Sequence, residues 1–146
     1  MTRYLLDLNV FLALILASHE SHAAAHRWFT NSGHRAWASN AVTQLGVIRL
    51  LTNPVIARRA ISADSALNAL LDEIEHPGHE FWPLDFDIGA ALQPMAGRIS
   101  GHQQWTDALL LAQAARHRGV LVTFDSGLRD LARAGFEDHL LVLKPR

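Results

Sequence analysis

Apolar positions along this chain fall into two kinds of segment. Arg3 to Leu6, Val120 to Phe124 and Leu140 to Lys144 are short, largely apolar stretches of strand length, and RAWAS (Arg35 to Ser39) alternates as a half-buried strand does. Longer segments repeat their apolar residues at helical spacing. These are Val10 to Ala17, His22 to Thr30, the stretch through Val42, Leu45, Ile48 and Leu51, and the segment opening at Ser62. In the last of them Ala66, Leu67, Leu70, Leu71 and Ile74 fall on one face, and Pro77-Gly78 closes it. Asn40 is placed to cap the third helix and Asn53-Pro54 to break it.

EFWPL (Glu80 to Leu84) is a further strand candidate, and Asp87 suits the cap of a helix through Ile88, Ala91, Leu92 and Met95. Gly97 to Gly101 reads as a loop before a helix from about Thr106 to His117, which Gly119 ends. Ser126 to Ala134 forms a short helix with Gly135 as its stop. Strand and helix therefore alternate, which predicts an α/β fold with a mainly parallel sheet. In such sheets the ligand site lies outside the carboxyl ends of the strands. With 146 residues and neither linker nor repeat, the expectation is a single domain over 1–146.

Composition narrows the classes. At 49% hydrophobic and 18% charged, the chain can bury a core and is not of the disordered type. It has no cysteine, which excludes disulfides, zinc ribbons and thiol catalysis and agrees with a cytoplasmic setting. Asp7 and Asn9 interrupt the N-terminal apolar stretch, and VFLALILA alone is too short to span a bilayer, so no membrane association is expected. The net charge of −1 offers no global attraction for nucleic acid. Lys144 is nevertheless the only lysine among thirteen basic residues, and the planar fork of arginine suits phosphate, although a coding bias toward Arg gives the same ratio.

Three aspartates stand where apolar segments end or begin: Asp7 in RYLLDLNVFLALIL, Asp107 in QQWTDALLLAQAA and Asp125 in GVLVTFDSGL. Asp7 and Asp125 directly follow strands, so both project at the carboxyl edge of the sheet, and Asp107 opens a helix whose N-terminus can face that edge. Converging carboxylates repel, so either their pKa values rise or a cation takes up the charge. An all-oxygen donor set favours Mg²⁺ or Mn²⁺ over zinc. Two of them also have a structural use, Asp107 as a first-turn anion and Asp125 as a helix cap, whereas Asp7, apolar on both sides with no Gly or Pro beside it, resists such a reading.

In order and spacing, LLDLNVFLAL, TQLGVIRLLTNP, WTDALLLAQAARHRG and LVTFDSGL resemble a PIN-domain ribonuclease, and more narrowly a VapC-like toxin of a bacterial toxin–antitoxin pair, over nearly the whole chain. The resemblance implies a three-layer α/β/α PIN-like domain and an acidic pocket that binds Mg²⁺ or Mn²⁺ through Asp7, Asp107 and Asp125. It further implies RNA cleavage by metal-activated water, a cognate antitoxin as partner, and a homodimer. Asn9 and Thr123 match polar positions that flank the pocket and are expected to hydrogen-bond its ligands.

One departure stands out. Many relatives carry a glutamate in the helix after the second strand, where this chain reads VTQLGVIRL. Gln44 is then a candidate for a neutral oxygen ligand, and Arg49 for contact with the pocket or a phosphate. Two other readings stay open. A haloacid-dehalogenase-like phosphatase would use Asp7 as nucleophile, but Asn9 replaces its second aspartate and no clear lysine is available. A degenerate, non-catalytic PIN domain would bind RNA or a protein partner without cutting. His19, His22 and His26 do not make an HExxH motif and read as a wet helix start. Most of the four tryptophans read as core, with Trp105 a candidate for the pocket mouth.

Overall fold

The computed structural model describes residues Met1–Arg146. Strands β1 (Tyr4–Leu6), β2 (Trp37–Ser39), β3 (His79–Phe81), β4 (Val120–Thr123) and β5 (Leu140–Val142) form one sheet in the order β3-β2-β1-β4-β5. Every pairing is parallel. Parallel neighbours cannot be joined by a tight hairpin, so each connection carries helix across a face of the sheet. The helices are α1 (Leu8–Ile15), α2 (His22–Asn31), α3 (Ala41–Leu51), α4 (Pro54–Ala57), α5 (Ala63–Ile74), α6 (Ile88–Leu92), α7 (Gln104–Arg116) and α8 (Leu128–Ala132).

The two-residue period of the strands divides the core. Leu6, Trp37 and Val122 point to one face, where they meet Val10 and Phe11 of α1, Val47 and Leu51 of α3, and Leu70 of α5. Leu5, Ala38 and Leu121 point to the other, against Met95 from the turn after α6, against Leu110 and Leu111 of α7, and against Leu128 and Leu131 of α8. Both faces are covered, which gives the α/β/α layering expected from the resemblance. The chain winds outward from β1 to β2 and β3 on one side, then returns to β4 and β5 on the other. Strand order thus reverses between β1 and β4, and the crevice at such a switch point is the usual ligand site.

Several boundaries differ from the sequence reading. Helix α1 starts at Leu8 rather than Val10 because Asp7 itself is the N-cap, its Oδ1 accepting from Leu8 N at 2.7 Å. Asn40 caps α3 in a reciprocal box with Thr43. Asn53-Pro54 ends α3 and also starts α4, with Asn53 as cap and Pro54 at the first helical position, a helix the reading lacked. The third strand lies at His79–Phe81 rather than Glu80–Leu84, ahead of Pro83, whose nitrogen cannot donate to a ladder. On α5, Ala66 and Leu70 are buried, but Leu67 and Leu71 are exposed, so its apolar face is wider than the stripe the core covers.

His22 and His26 also fasten elements of the fold, His22 half-buried and His26 exposed as the sequence reading had it. His22 Nδ1 donates to the Ala13 carbonyl at 2.7 Å and His26 Nε2 to the Leu14 carbonyl at 3.1 Å. Those carbonyls lie in the last turn of α1, where no intrahelical N–H reaches them. The two rings lie together, 4.3 Å between centroids, and fasten α2 to the end of α1. After α7 it is Arg118, at φ 55°, that takes the left-handed conformation. Gly119 is needed for a different reason: a Cβ there would stand 2.6 Å from the Arg3 carbonyl oxygen.

Candidate active site

The switch point brings the three aspartates together. Asp7 leaves β1 with its backbone N–H donating to the Val122 carbonyl of β4 at 2.9 Å, so the first carboxylate is locked to the neighbouring strand. Asp125 follows β4, and its Oδ1 accepts from Gly127 N at 2.8 Å in the turn before α8. Asp107 lies in the first turn of α7. All three line one cavity of about 470 Å³, together with Leu8, Asn9 and Leu12 of α1, Ser18, His19 and Glu20 of the following loop, and Leu50, Ile56 and Arg58 from the α3–α4 region.

Thr123, the last residue of β4, connects the acidic wall. Its Oγ1 donates to Asp7 Oδ2 at 2.6 Å and accepts from Asn9 Nδ2 at 3.3 Å and from Asp125 N at 3.0 Å. Asn9 Oδ1 in turn accepts from Phe124 N at 3.2 Å. The fold thus joins Asn9 and Thr123 to two of the three aspartates. Removing the hydroxyl while keeping the shape isolates its contribution. Thr123→Val is expected to weaken Mn²⁺ binding by about 10- to 100-fold in calorimetry, with an unchanged circular dichroism spectrum.

The charges are poorly compensated. Burial pushes the Asp7 carboxyl above its ordinary value; the hydrogen bonds from Thr123 and Leu8 oppose this, and the charge of Asp125 adds to the rise. Asp107 is pushed up to about 6, first by burial and then by the charges of Asp7 and Asp125. No hydrogen bond contributes to hold its ionised form. The donors are carboxylate oxygens, and both Asp7 oxygens keep a lone pair beyond the hydrogen bond each accepts. No three Asp, Glu or His side chains close into a ligand cage. Carboxylate oxygen is the donor type that Mg²⁺ takes, with waters completing its shell.

Two candidates from the sequence stand elsewhere. Gln44 does not line the cavity: its Nε2 donates to Ser39 Oγ at 2.9 Å, and Ser39 Oγ donates onward to His79 Nε2 at 2.7 Å. This turns Gln44 toward β2 and β3, away from the switch point. Arg49 is exposed and also outside the cavity, where the next residue of α3, Leu50, takes its place. At Gly46 a Cβ would come within 2.9 Å of Leu8 Cδ2, the end of a flexible side chain, so a larger residue there requires Leu8 to turn aside. Trp105 is exposed but does not line the cavity; Trp37 and Trp82 are buried.

The sequence reading gave three further lining residues no part in this pocket, taking His19 for a wet helix start. His19 lines the cavity with Nδ1 accepting from Ser21 N at 3.0 Å, which leaves the proton of the neutral ring on Nε2 as a donor. Burial, ahead of smaller charge effects, holds the His19 pKa below its ordinary value, so the ring stays neutral at pH 7. Glu20 adds a further carboxylate to the rim and lies 4.0 Å from Arg146. Arg58 is the one cation among the lining residues. None of the three carries a local motif, because each comes from a loop or a helix end.

Comparison with known proteins agrees with this geometry. The family model described as PIN domain matches residues 4–134. The curated protein named Ribonuclease VapC39, from Mycobacterium tuberculosis strain ATCC 25618 / H37Rv, is 38% identical over 136 residues, which cover 93% of this chain and 98% of that protein. Ribonuclease VapC44 from the same strain is 37% identical over 142 residues, covering 97% and 99%. Among solved structures, a chain of VapBC2 from Rickettsia felis, crystallised bound to a DNA fragment from its promoter, superposes with a TM-score of 0.66. It covers 98% of this chain and 100% of its own at 12% identity, a likeness of fold. With a family model over most of its length and relatives of this identity and coverage, the chain belongs to the PIN-domain family.

Proposed function

We propose that this chain is a metal-dependent endoribonuclease, the toxin of a toxin–antitoxin pair, which hydrolyses RNA phosphodiester bonds and works as one domain over residues 1–146. The observation that carries the reading is Asp107, a half-buried carboxylate raised to about 6 by burial and by Asp7 and Asp125 at the switch point of the sheet. The names of the VapC relatives support the substrate class and the toxin role.

Asp7, Asp107 and Asp125 hold the ion, directly or through its waters. Bound Mg²⁺ or Mn²⁺ supplies Lewis-acid stabilisation of a phosphoryl oxygen and lowers the pKa of a coordinated water. Thr123 keeps Asp7 oriented, and Asn9 keeps Thr123 and the Phe124 N–H in place. No protein nucleophile is needed. The phosphatase alternative is not favoured, because the only lysine, Lys144, lies beyond β5 and outside the cavity.

An antitoxin partner and a homodimer belong to the same reading. Leu45 of α3, Val55 and Ile56 of α4, and Leu67 and Leu71 of α5 are exposed, which gives apolar area for such contacts. The basic test is incubation of the purified chain with total RNA. Cleavage in Mg²⁺ or Mn²⁺ that chelator abolishes supports the proposal. No cleavage of any RNA, together with no Mn²⁺ heat in calorimetry, would leave a non-catalytic PIN domain.

The raised Asp107 also sets a pH dependence. Because the fold raises this carboxyl above 3.8, the folded state binds the proton more tightly than the unfolded chain. The group therefore destabilises the metal-free protein fully above about pH 6, and this penalty disappears as pH falls below the unfolded value. An ion must displace that proton, so Mn²⁺ affinity is expected to fall by up to roughly tenfold per pH unit below about 6. Calorimetric titration from pH 7.5 to 5 checks this; affinity that is flat across the range rejects it.

A further inference from the structure

An acidic cavity attracts cations but repels the RNA it is meant to cut. Asp7, Asp107, Asp125 and Glu20 all line it, and any strand entering brings further negative charge. A divalent ion offsets two of these four charges, and a fixed cation on the lining offsets part of the rest. Only Arg58 is available for this. It forms no salt bridge with any carboxylate of the protein, as is true of most of the arginines, and it alone of them lines the cavity.

The backbone gives a second, independent reason. Arg58 ends the single turn of α4 at φ 59°, ψ 22°, in the left-handed region. That position after a helix is usually glycine or asparagine, because a β-carbon is disfavoured there. The chain tolerates this strain at the rim of the cavity and presents a long cationic side chain where glycine would suit the local fold. Strain of this kind collects at functional sites. Arg118 shares the conformation but lies outside the cavity, so the placement and not the torsion alone distinguishes Arg58.

We propose that Arg58 is a substrate-binding residue of this site, its guanidinium receiving a phosphate of single-stranded RNA in the cavity it shares with the aspartates, with the Nε2–H of His19 as a donor on the same lining. The proposal rests on the ribonuclease reading given above. A planar fork presents two parallel donors to a phosphate, which a lysine ammonium cannot reproduce.

The experiment compares steady-state cleavage of a fluorescently labelled single-stranded RNA by the full chain, by Arg58→Gly and by Arg58→Lys, in Mg²⁺ across a range of salt. Arg58→Gly relieves the backbone strain, so its melting temperature should equal or exceed that of the parent, which separates binding from folding. The expected result is a KM about tenfold higher with kcat little changed, and a salt slope of log(kcat/KM) that is smaller by about 0.7, the value for one lost single-strand phosphate contact. Arg58→Lys should recover part of the KM and the salt slope. Unchanged KM and salt slope in Arg58→Gly, beside an active parent, would overturn this assignment and leave the ribonuclease reading intact. A fall in kcat alone, or weakened Mn²⁺ binding in calorimetry, would also overturn it. A parent that cleaves no RNA removes the reading and the assignment together.

Discussion

Asp7→Asn is expected to lower RNA cleavage by about 10³-fold or more while the folded structure persists, because loss of an ion's charge stabilisation is worth several kcal/mol of barrier. Asp7 occupies the junction of β1 and α1, where its carboxylate caps the helix through Oδ1 and accepts from Thr123 through Oδ2. Asparagine keeps one acceptor oxygen, so capping survives in the amide orientation that leaves this oxygen on Leu8 N. What disappears is the negative charge. In the same variant the burial penalty on an ionised group also disappears, and one of the charges that raise Asp107 is gone. The metal-free variant should therefore be at least as thermally stable as the parent. Mapped cleavage ends, Mn²⁺ calorimetry and a melting curve on one preparation test this together. Full residual cleavage with a normal melt would show that the acidic cavity is not where RNA is hydrolysed.

Gln113→Leu should instead damage the fold, by about 3 kcal/mol, or roughly 10 °C in melting temperature for a domain of this size. Gln113 is fully buried in α7. Its Oε1 accepts from Asn40 Nδ2 at 2.6 Å, and its Nε2 donates to the carbonyls of Trp82 at 3.2 Å and Pro83 at 3.1 Å. Asn40 is the cap of α3, and Trp82 and Pro83 follow β3, so one amide ties the start of α3 and the end of β3 to the helix that carries Asp107. Leucine fits the volume but strands the buried Asn40 amide and the buried Trp82 carbonyl, whereas the Pro83 carbonyl is only partly buried; each buried unmet group costs roughly 1–3 kcal/mol. Urea unfolding measures the loss. A midpoint within experimental error of the parent would mean that water or a local shift satisfies all three groups.

The contrast between these residues shows what can be read from a chain by eye. Asp7 interrupts an apolar run, and Asp125 follows one, so both are visible as anomalies against their neighbours. Gln113 has the same signature, a lone polar residue inside LLLAQAA, yet on a helix it reads equally well as a solvent-facing position. The difference lies in which side of α7 meets the sheet. Leu67 and Leu71 show the converse, because helical period groups them with Ala66 and Leu70 although the core reaches only part of that face.

Gln44 was misplaced for a related reason. Position along α3 puts it near the absent glutamate, but Ser39 holds its amide on the β2 side. Arg58 and His19 lie in segments of no periodicity, and what gives them meaning is a cavity shared with residues far away in the chain.

From the sequence alone came the alternation of strand and helix, the parallel character of the sheet, and the placing of Asp7 and Asp125 at strand ends. All of these depend on residues within a few positions of one another, where the two- and 3.6-residue periods and capping chemistry operate. The order of the strands depends on contacts between distant segments. Only the tertiary structure set β1 beside β4, turned α7 so that Asp107 joins the pair, and brought Arg58 to the same cavity. The mutual rise of the carboxyl pKa values follows from that convergence, since Coulomb repulsion depends on separation in space and not along the chain.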